Sequence, residues 1–427
     1  MLIFPIFIIF YLIIVSSLVI ILLFGPNERC QSNILGRSYR FLTTKFVTRM
    51  RILTTKICGT KIGVFSTFFQ KYFLYSRNPI ILLFYLLITG VGIFFFFKDV
   101  FPFFFETESL GKKHLILIPL CLIFVVFSLL ISVLSDPGTI TQENYKMYIQ
   151  KYPYDNQIFF PRICETCGFQ KPARSKHCKI LNKCISKYDH YCGWLINAVG
   201  EKNYRWFLLF LISNCILCFY GFYFILKIVY SQLVHSQIFM ETVLKLETGF
   251  QKDLLIVLLK IILNNQSKSI ALLFLTLIMG ISLLVFILYH FYLISKNVTT
   301  NEKFKLSDLK NYIIQKKKQL KYYKLLKKQQ IEYQKQIQIL NRLKKLKNME
   351  ITEQIKKLNI QKPEITQTDI ILLKLDPNNL ENIYNQGFWK NFYQVFFPNS
   401  PHLHPPLKQP TQNKTTNSLN NNNKKDN

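Results

Sequence analysis

The run Leu115 to Leu134, LILIPLCLIFVVFSLLISVL, holds twenty residues and no charge. A helix of that length rises about 30 Å, the thickness of a bilayer's hydrocarbon core. A water-exposed helix needs a polar face, and this stretch has none. It reads as a membrane span.

Four more apolar runs flank it: Met1–Phe24, Ile80–Phe97, Trp206–Tyr230 and Ile270–Ile294. Half of the 427 residues are hydrophobic and 39 are Phe. Backbone polar groups in lipid must be satisfied within the segment, so the fold class is an all-α polytopic membrane protein with five transmembrane helices. Met1–Phe24 lacks a basic leader and a small-residue cleavage site, and reads as an uncleaved anchor. Leu254–Leu263 is apolar but too short to cross, and reads as interfacial.

The net charge of +31 is unevenly spread. Residues 27–78 carry ten Lys and Arg against Glu28 alone. Residues 135–204 and the tail are also basic, whereas 98–114 and 231–268 are not. The positive-inside rule makes the basic segments cytosolic and lets the five spans alternate. The long apolar runs assign the charge to a membrane surface rather than to nucleic acid. Lys316–Lys357 has fourteen Lys and Arg against three Glu, with apolar residues three to four apart. That pattern reads as a basic helix, either solvated or held on anionic lipid. A channel or transporter is disfavoured, because the only ionisable residues within the spans, Lys227 and His290, stand near span ends.

The chain divides accordingly: anchor 1–24, basic cytosolic segment 25–78, spans 79–134, Cys-rich segment 135–205, spans 206–294 with their lumenal loop, tail 295–397, and a disordered end 398–427. Asn265-Gln266-Ser267 is a glycosylation sequon on the lumenal side. Cys215 and Cys218, inside a span, read as small buried hydrophobes. Cys30 and Cys58, in the basic segment, read equally as acylation sites or free thiols.

Cys164-x-x-Cys167 is followed by His177 and Cys184. A CxxC turn puts two thiolates on one metal, and a His with a third Cys closes a tetrahedral Cys3His set, the usual structural zinc arrangement. The segment is too short to fold on an apolar core, so metal binding would supply folding energy. Downstream, Asp189, His190 and Cys192 fall within four positions. A Cys is activated when a His takes its proton and a carboxylate fixes the far ring nitrogen.

The run Cys164–Asn203, CETCGFQKPARSKHCKILNKCISKYDHYCGWLINAVGEKN, resembles the Cys-rich domain of the DHHC-type protein S-acyltransferases (palmitoyltransferases). Asp136-Pro137-Gly138 resembles the family's DPG motif, Thr299-Thr300-Asn301-Glu302 its TTxE, and Tyr384–Phe396 its C-terminal element, with Asn391 on the family's asparagine. The resemblance covers roughly 79–397 and implies a four-helix core, to which the N-terminal span is an addition.

The resemblance implies a protein-cysteine S-palmitoyltransferase. Cys192 would be the nucleophile, His190 the base and Asp189 the group that orients it. Acyl-CoA would be the donor, membrane-associated proteins with cytosolic Cys the acceptors, and an endomembrane (ER or Golgi) or the plasma membrane the location. Family members carry two zinc sites. Here the first set, Cys164, Cys167, His177 and Cys184, is complete. The second would use Cys178 and the positions of Leu181, Tyr191 and Ala198, so three of its four ligands are gone and one Zn2+ is expected. Tyr191 breaks the second His of the signature, and Gly193 replaces the usual Pro. Lys171, Arg174 and Lys202 are candidate contacts for CoA phosphates. The alternative is a weak or inactive zinc-binding membrane scaffold of the same family.

Overall fold

The structure, a computed structural model, describes residues 77–107, 110–235, 267–344 and 382–399, with isolated positions between 34 and 41 and between 373 and 380. The N-terminal anchor, nearly all of the basic segment, the interfacial run 254–263 and the chain end lie outside the described residues. So do the expectations that rest on them.

Among the described residues four helices are long and apolar enough to cross a membrane: Ile80–Glu106, His114–Leu134, Tyr204–Val234 and Ser267–Ser295. The first begins as α1, Ile80–Phe95, and continues through a wider turn, Phe96–Val100, and a tighter one, Phe101–Glu106. The change of pitch falls just before Pro102, which cannot donate to the regular ladder. Sequence reading ended this span at Phe97 because Lys98 and Asp99 follow. The structure carries it to Glu106: Lys98 sits 5.5 Å from the Phe94 ring and Asp99 accepts from Lys268 at 3.3 Å.

Helix α2 is His114–Leu134. The Cys-rich segment follows, with β1 Thr139–Ile140, α3 Tyr145–Lys151, β2 Lys176–Cys178, β3 Lys183–Ile185, β4 His190–Cys192 and β5 Asn197–Val199. Then come α4, Tyr204–Val234, and α5, Ser267–Ser295. The expectation of a wholly α-helical chain is corrected here. The strands form a β1–β3–β2 sheet and a β4–β5 pair, all antiparallel. Strands of two or three residues leave no alternation to read.

α4 packs against both α2 and α5. Ser128 of α2 and Ser213 of α4 share a 2.6 Å hydrogen bond, and Cys215 of α4 approaches the Gly280 carbonyl of α5. Small residues let helix backbones draw close where lipid supplies no hydrophobic drive. Two apolar cores result. One gathers Phe104, Phe224 and Ile228; the other gathers Leu195, Phe207, Leu208, Leu211 and Ile287, and Cys192 belongs to it.

The C-terminal helix α7, Phe388–Phe396, belongs to the same compact unit as the bundle. Asn391 donates to the Ser295 carbonyl at 2.9 Å and accepts from the Gln386 N–H at 3.1 Å, so it satisfies an orphan carbonyl at the end of α5.

A second unit contains residues 153–160 and the long helix α6, Thr300–Lys344. The basic helix therefore begins earlier than the Lys-rich run. Within this unit Asp155 accepts backbone N–H groups from Gln157, Ile158 and Phe159, and Lys305 lies 4.4 Å from the Phe159 ring.

Candidate active site and metal centre

Cys164, Cys167, His177 and Cys184 come together with all ligand atoms within 4.8 Å of one another. The CxxC turn is closed by Gly168 N–H donating to the Cys164 carbonyl at 2.8 Å. His177 and Cys184 face each other across the β2–β3 pair. The three sulfurs stand 3.4 to 3.8 Å from His177 Nδ1. Bonds of about 2.3 Å to sulfur and 2.0 Å to nitrogen, at the tetrahedral angle, subtend an edge of about 3.5 Å. The four residues fit one tetrahedral metal ion with no water position, as a structural site requires.

Cys178, Leu181, Tyr191 and Ala198, the positions compared with a second metal site above, also meet. Tyr191 opposes Ala198 in the β4–β5 pairing. Cys178 and Ala198 are buried in an apolar cluster with Ile185 and Tyr188, and Leu181 and Tyr191 pack against it. Apolar contact holds this part of the loop.

The Asp-His-Cys residues are anchored from several directions. Asp189 is 1% exposed, and its N–H donates to the Val199 carbonyl at 2.9 Å. Its Oδ2 lies 2.7 Å from His190 Nδ1, which leaves Nε2 as the ring's free nitrogen. Burial disfavours the imidazolium, but the bond to Asp189, the nearby Cys192 sulfur and the charges of both outweigh it and raise His190 to about 10. Cys192 is 7% exposed and opposes Asn197 in the strand pair.

The surrounding motifs hold this loop to the helix ends. Asp136 Oδ1 accepts from both the N–H and the hydroxyl of Thr139, which starts β1. Gly138, at φ +97°, turns its carbonyl to accept from Ser186 N–H. Thr299 donates its hydroxyl to the Tyr188 carbonyl at 3.0 Å, one residue before Asp189. Glu302 is buried at the start of α6, and Thr300 opens that helix.

Several supporting residues escaped sequence reading. Asn197 donates to the Val133 and Ser135 carbonyls at 3.2 and 2.8 Å, capping α2 from the strand opposite Cys192. Glu201 is buried, pairs with Lys151 and accepts from Ser186. Burial raises its pKa, but Lys151's charge and these hydrogen bonds hold it below the usual carboxylate value. Asn197 and Glu201 are polar residues in the mostly apolar run 193–203 between Cys192 and α4, which was the available signal. Arg174 corrects an expectation. It is 1% exposed, and its guanidinium donates to the side chain and backbone carbonyls of Asn297 at 3.0 and 2.9 Å. It clamps the end of α5 rather than facing solvent. Lys202 stands 3.5 Å from Asp136.

The arrangement sets an Asp-His-Cys cluster on a loop that could hold a metal, in a chain with four candidate membrane spans among the described residues. The family model for DHHC palmitoyltransferases matches residues 157–307. Palmitoyltransferase swf1 of Schizosaccharomyces pombe is 28% identical over 389 residues, 90% of this chain and 94% of that protein. Palmitoyltransferase SWF1 of Yarrowia lipolytica is 28% identical over 391 residues, 90% of this chain and 96% of that protein. Palmitoyltransferase ZDHHC4 of Mus musculus is 30% identical over 238 residues, 54% of this chain and 67% of that protein. The chain belongs to the DHHC palmitoyltransferase family, whose members are protein S-palmitoyltransferases, and it is an integral membrane protein.

Proposed function

We propose that this protein moves a long-chain acyl group from acyl-CoA to cysteines of membrane-associated proteins in two steps through Cys192. The observation that carries the reading is the 2.7 Å contact of His190 Nδ1 with Asp189 Oδ2, which leaves Nε2 available to the nearby Cys192.

With His190 raised to about 10, the resting imidazole carries a proton at neutral pH. A thiolate at Cys192 is the form that attacks the thioester carbonyl. The C–S bond to CoA breaks, and the departing CoA sulfur takes the proton from His190 Nε2. Neutral His190 then takes the proton of an incoming substrate thiol. That sulfur attacks the Cys192 thioester, and the Cys192 thiolate leaves beside the restored imidazolium. Asp189 keeps the ring in one tautomer and offsets its charge. One thioester replaces another, so no further energy source is required.

The apolar core around Cys192 offers the acyl chain a path among Phe207, Leu208 and Leu211, each buried CH2 contributing about 0.8 kcal/mol. A cavity of about 200 Å³, lined by Arg77, Lys183, Asp136 and Asn197, has two cations for CoA phosphates. Its place beside Asn197, opposite Cys192, suits the headgroup of a donor whose thioester lies at the sulfur. Zinc bound by Cys164, Cys167, His177 and Cys184 would supply a rigid cross-link of the loop and no Lewis-acid role. The positive-inside pattern sets the site on the cytosolic face, and the basic tail suits an anionic leaflet of the ER, Golgi or plasma membrane.

The test is transfer. Purified protein with radiolabelled palmitoyl-CoA and a membrane-anchored acceptor bearing one cytosolic Cys should label the acceptor. Cys192→Ala should not, and Arg77→Ala with Lys183→Ala should raise KM for palmitoyl-CoA. Transfer that survives Cys192→Ala rules out the two-step route. Absence of transfer by folded, metal-loaded wild type leaves the scaffold reading.

A further inference from the structure

His290 sits near the end of the last span, yet it is 1% exposed. An ionisable side chain inside a span is costly and needs a partner. Its partner is Tyr204, the first residue of α4, whose hydroxyl lies 2.6 Å from His290 Nδ1. Three further rings enclose the imidazole edge to face: Phe286 at 4.6 Å, Phe207 at 5.0 Å and Tyr289 at 5.7 Å. The remaining ring neighbour is His190, 6.4 Å away between centroids. Phe207 also packs on His190, at 5.2 Å, so one ring touches both imidazoles.

The His190 ring is held at Nδ1 by its bond to Asp189. A ring held at one atom can still rock about that bond, and its other nitrogen must stay aimed at Cys192. The rings beside His190 are Phe207 at 5.2 Å and His290 at 6.4 Å. Tyr204 in turn fixes the rotation of His290. The titratable groups that face His290 are Tyr204 from α4, Tyr289 on its own helix, and Asp189 and His190 from the Cys-rich segment. Asp189's charge acts on both tyrosines, so the same small volume holds the carboxylate, both imidazoles and two hydroxyls.

We propose that His290 is a positioning residue for His190, locked by Tyr204 and acting through the shared Phe207 ring and its own face. It touches no reacting atom. A leucine at 290 would fill similar space but lose the bond to Tyr204, and the packing beside His190 would loosen. The inference rests on the acyl-enzyme reading above.

The test measures initial rates of acyl-enzyme formation from palmitoyl-CoA across pH, on the full chain in lipid nanodiscs. Wild type, Cys192→Ala, His290→Leu, His290→Asn, Tyr204→Phe and the His290→Leu/Tyr204→Phe double variant are compared. His290→Leu and Tyr204→Phe should each lower the maximal rate roughly tenfold or more, with KM for palmitoyl-CoA held within about twofold. The double variant should be no slower than the slower single one, because both remove one bond. His290→Asn, whose amide can bond Tyr204, should recover most of the rate, and the pH profile of His290→Leu should move. A wild-type rate and profile in His290→Leu would overturn the proposal. So would additive losses, or equal loss in His290→Asn and His290→Leu accompanied by equal falls in melting temperature, which is mere packing. If wild type itself takes no label, the reading of Cys192 fails, and this inference falls with it; that result needs no substitution at 290 and is thus distinct.

Discussion

Tyr191 and Ala198 face each other across the β4–β5 strand pair. Both pack into one apolar cluster with Cys178 and Leu181. Buried side chains hold this part of the loop together. Cys192 belongs to the same strand as Tyr191, so this cluster supports the residue proposed as nucleophile.

One metal per chain follows. Metal analysis of purified protein should give one zinc, and Cys178→Ala should leave it unchanged with a stability loss of about 1 kcal/mol. Cys184→Ala should abolish metal and unfold the loop. Ala198→Asp, which sets an unpaired charge at a fully buried position, should cost several kcal/mol and be read as a lower melting temperature.

His190 sets the pH dependence. Its value in the fold, about 10, lies above the ordinary 6.5. The stabilising contribution is complete below about 6.5 and is lost as pH rises through about 10. The alkaline limb of acyl-enzyme formation should therefore fall near 10. Asp189→Asn should move that limb to lower pH and slow acylation about 10²- to 10⁴-fold. An unmoved limb in Asp189→Asn would contradict the pairing.

Glu201 and Lys151 form a buried ion pair that ties α3 to the loop before α4, and Lys151 also donates to the Pro398 carbonyl beyond α7. Glu201→Ala leaves Lys151 without its carboxylate, and should destabilise by about 3–5 kcal/mol in chemical denaturation. Because Glu201 is held below its ordinary value, its contribution is present above about 4.5 and lost as pH falls through the lower folded value.

Arg174 separates a structural role from a ligand role. With its guanidinium on Asn297, Arg174→Lys should lower the melting temperature and leave KM for palmitoyl-CoA unchanged, since Lys cannot reproduce the forked contact. A raised KM in a protein of wild-type stability would return Arg174 to the CoA site.

Gly193 packs beside α1. A Cβ there would lie 2.7 Å from Ile81 Cδ1, the tip of an exposed side chain that can swing away. Gly193→Ala should therefore cost no more than about 0.5 kcal/mol, with Ile81→Ala removing even that in the double variant. Thermal melting of the three variants checks this.

The spans were legible because long uncharged runs admit few other readings, and Leu115–Leu134 matches α2 to within one residue. The metal quartet was legible because thiols and an imidazole carry their chemistry in the residue type. The strands of the Cys-rich segment were not, since three residues show no period. Nor was the clamp of Arg174 on Asn297, because a basic residue in a basic loop reads as solvated until its burial is seen. The packing of Cys178, Leu181, Tyr191 and Ala198 was hidden for a related reason. These residues meet only through strand pairing that sequence order does not display.

The central claim is that Cys192 carries the acyl group. Incubation of the zinc-loaded protein with palmitoyl-CoA, followed by peptide mapping by mass spectrometry, measures it most directly. One hydroxylamine-sensitive palmitoyl group on the peptide containing Cys192, absent when Asp189→Asn is compared at early times, is the result expected. A palmitoyl group found only on Cys178, Cys30 or Cys58, with the Cys192 peptide unmodified, would contradict the account.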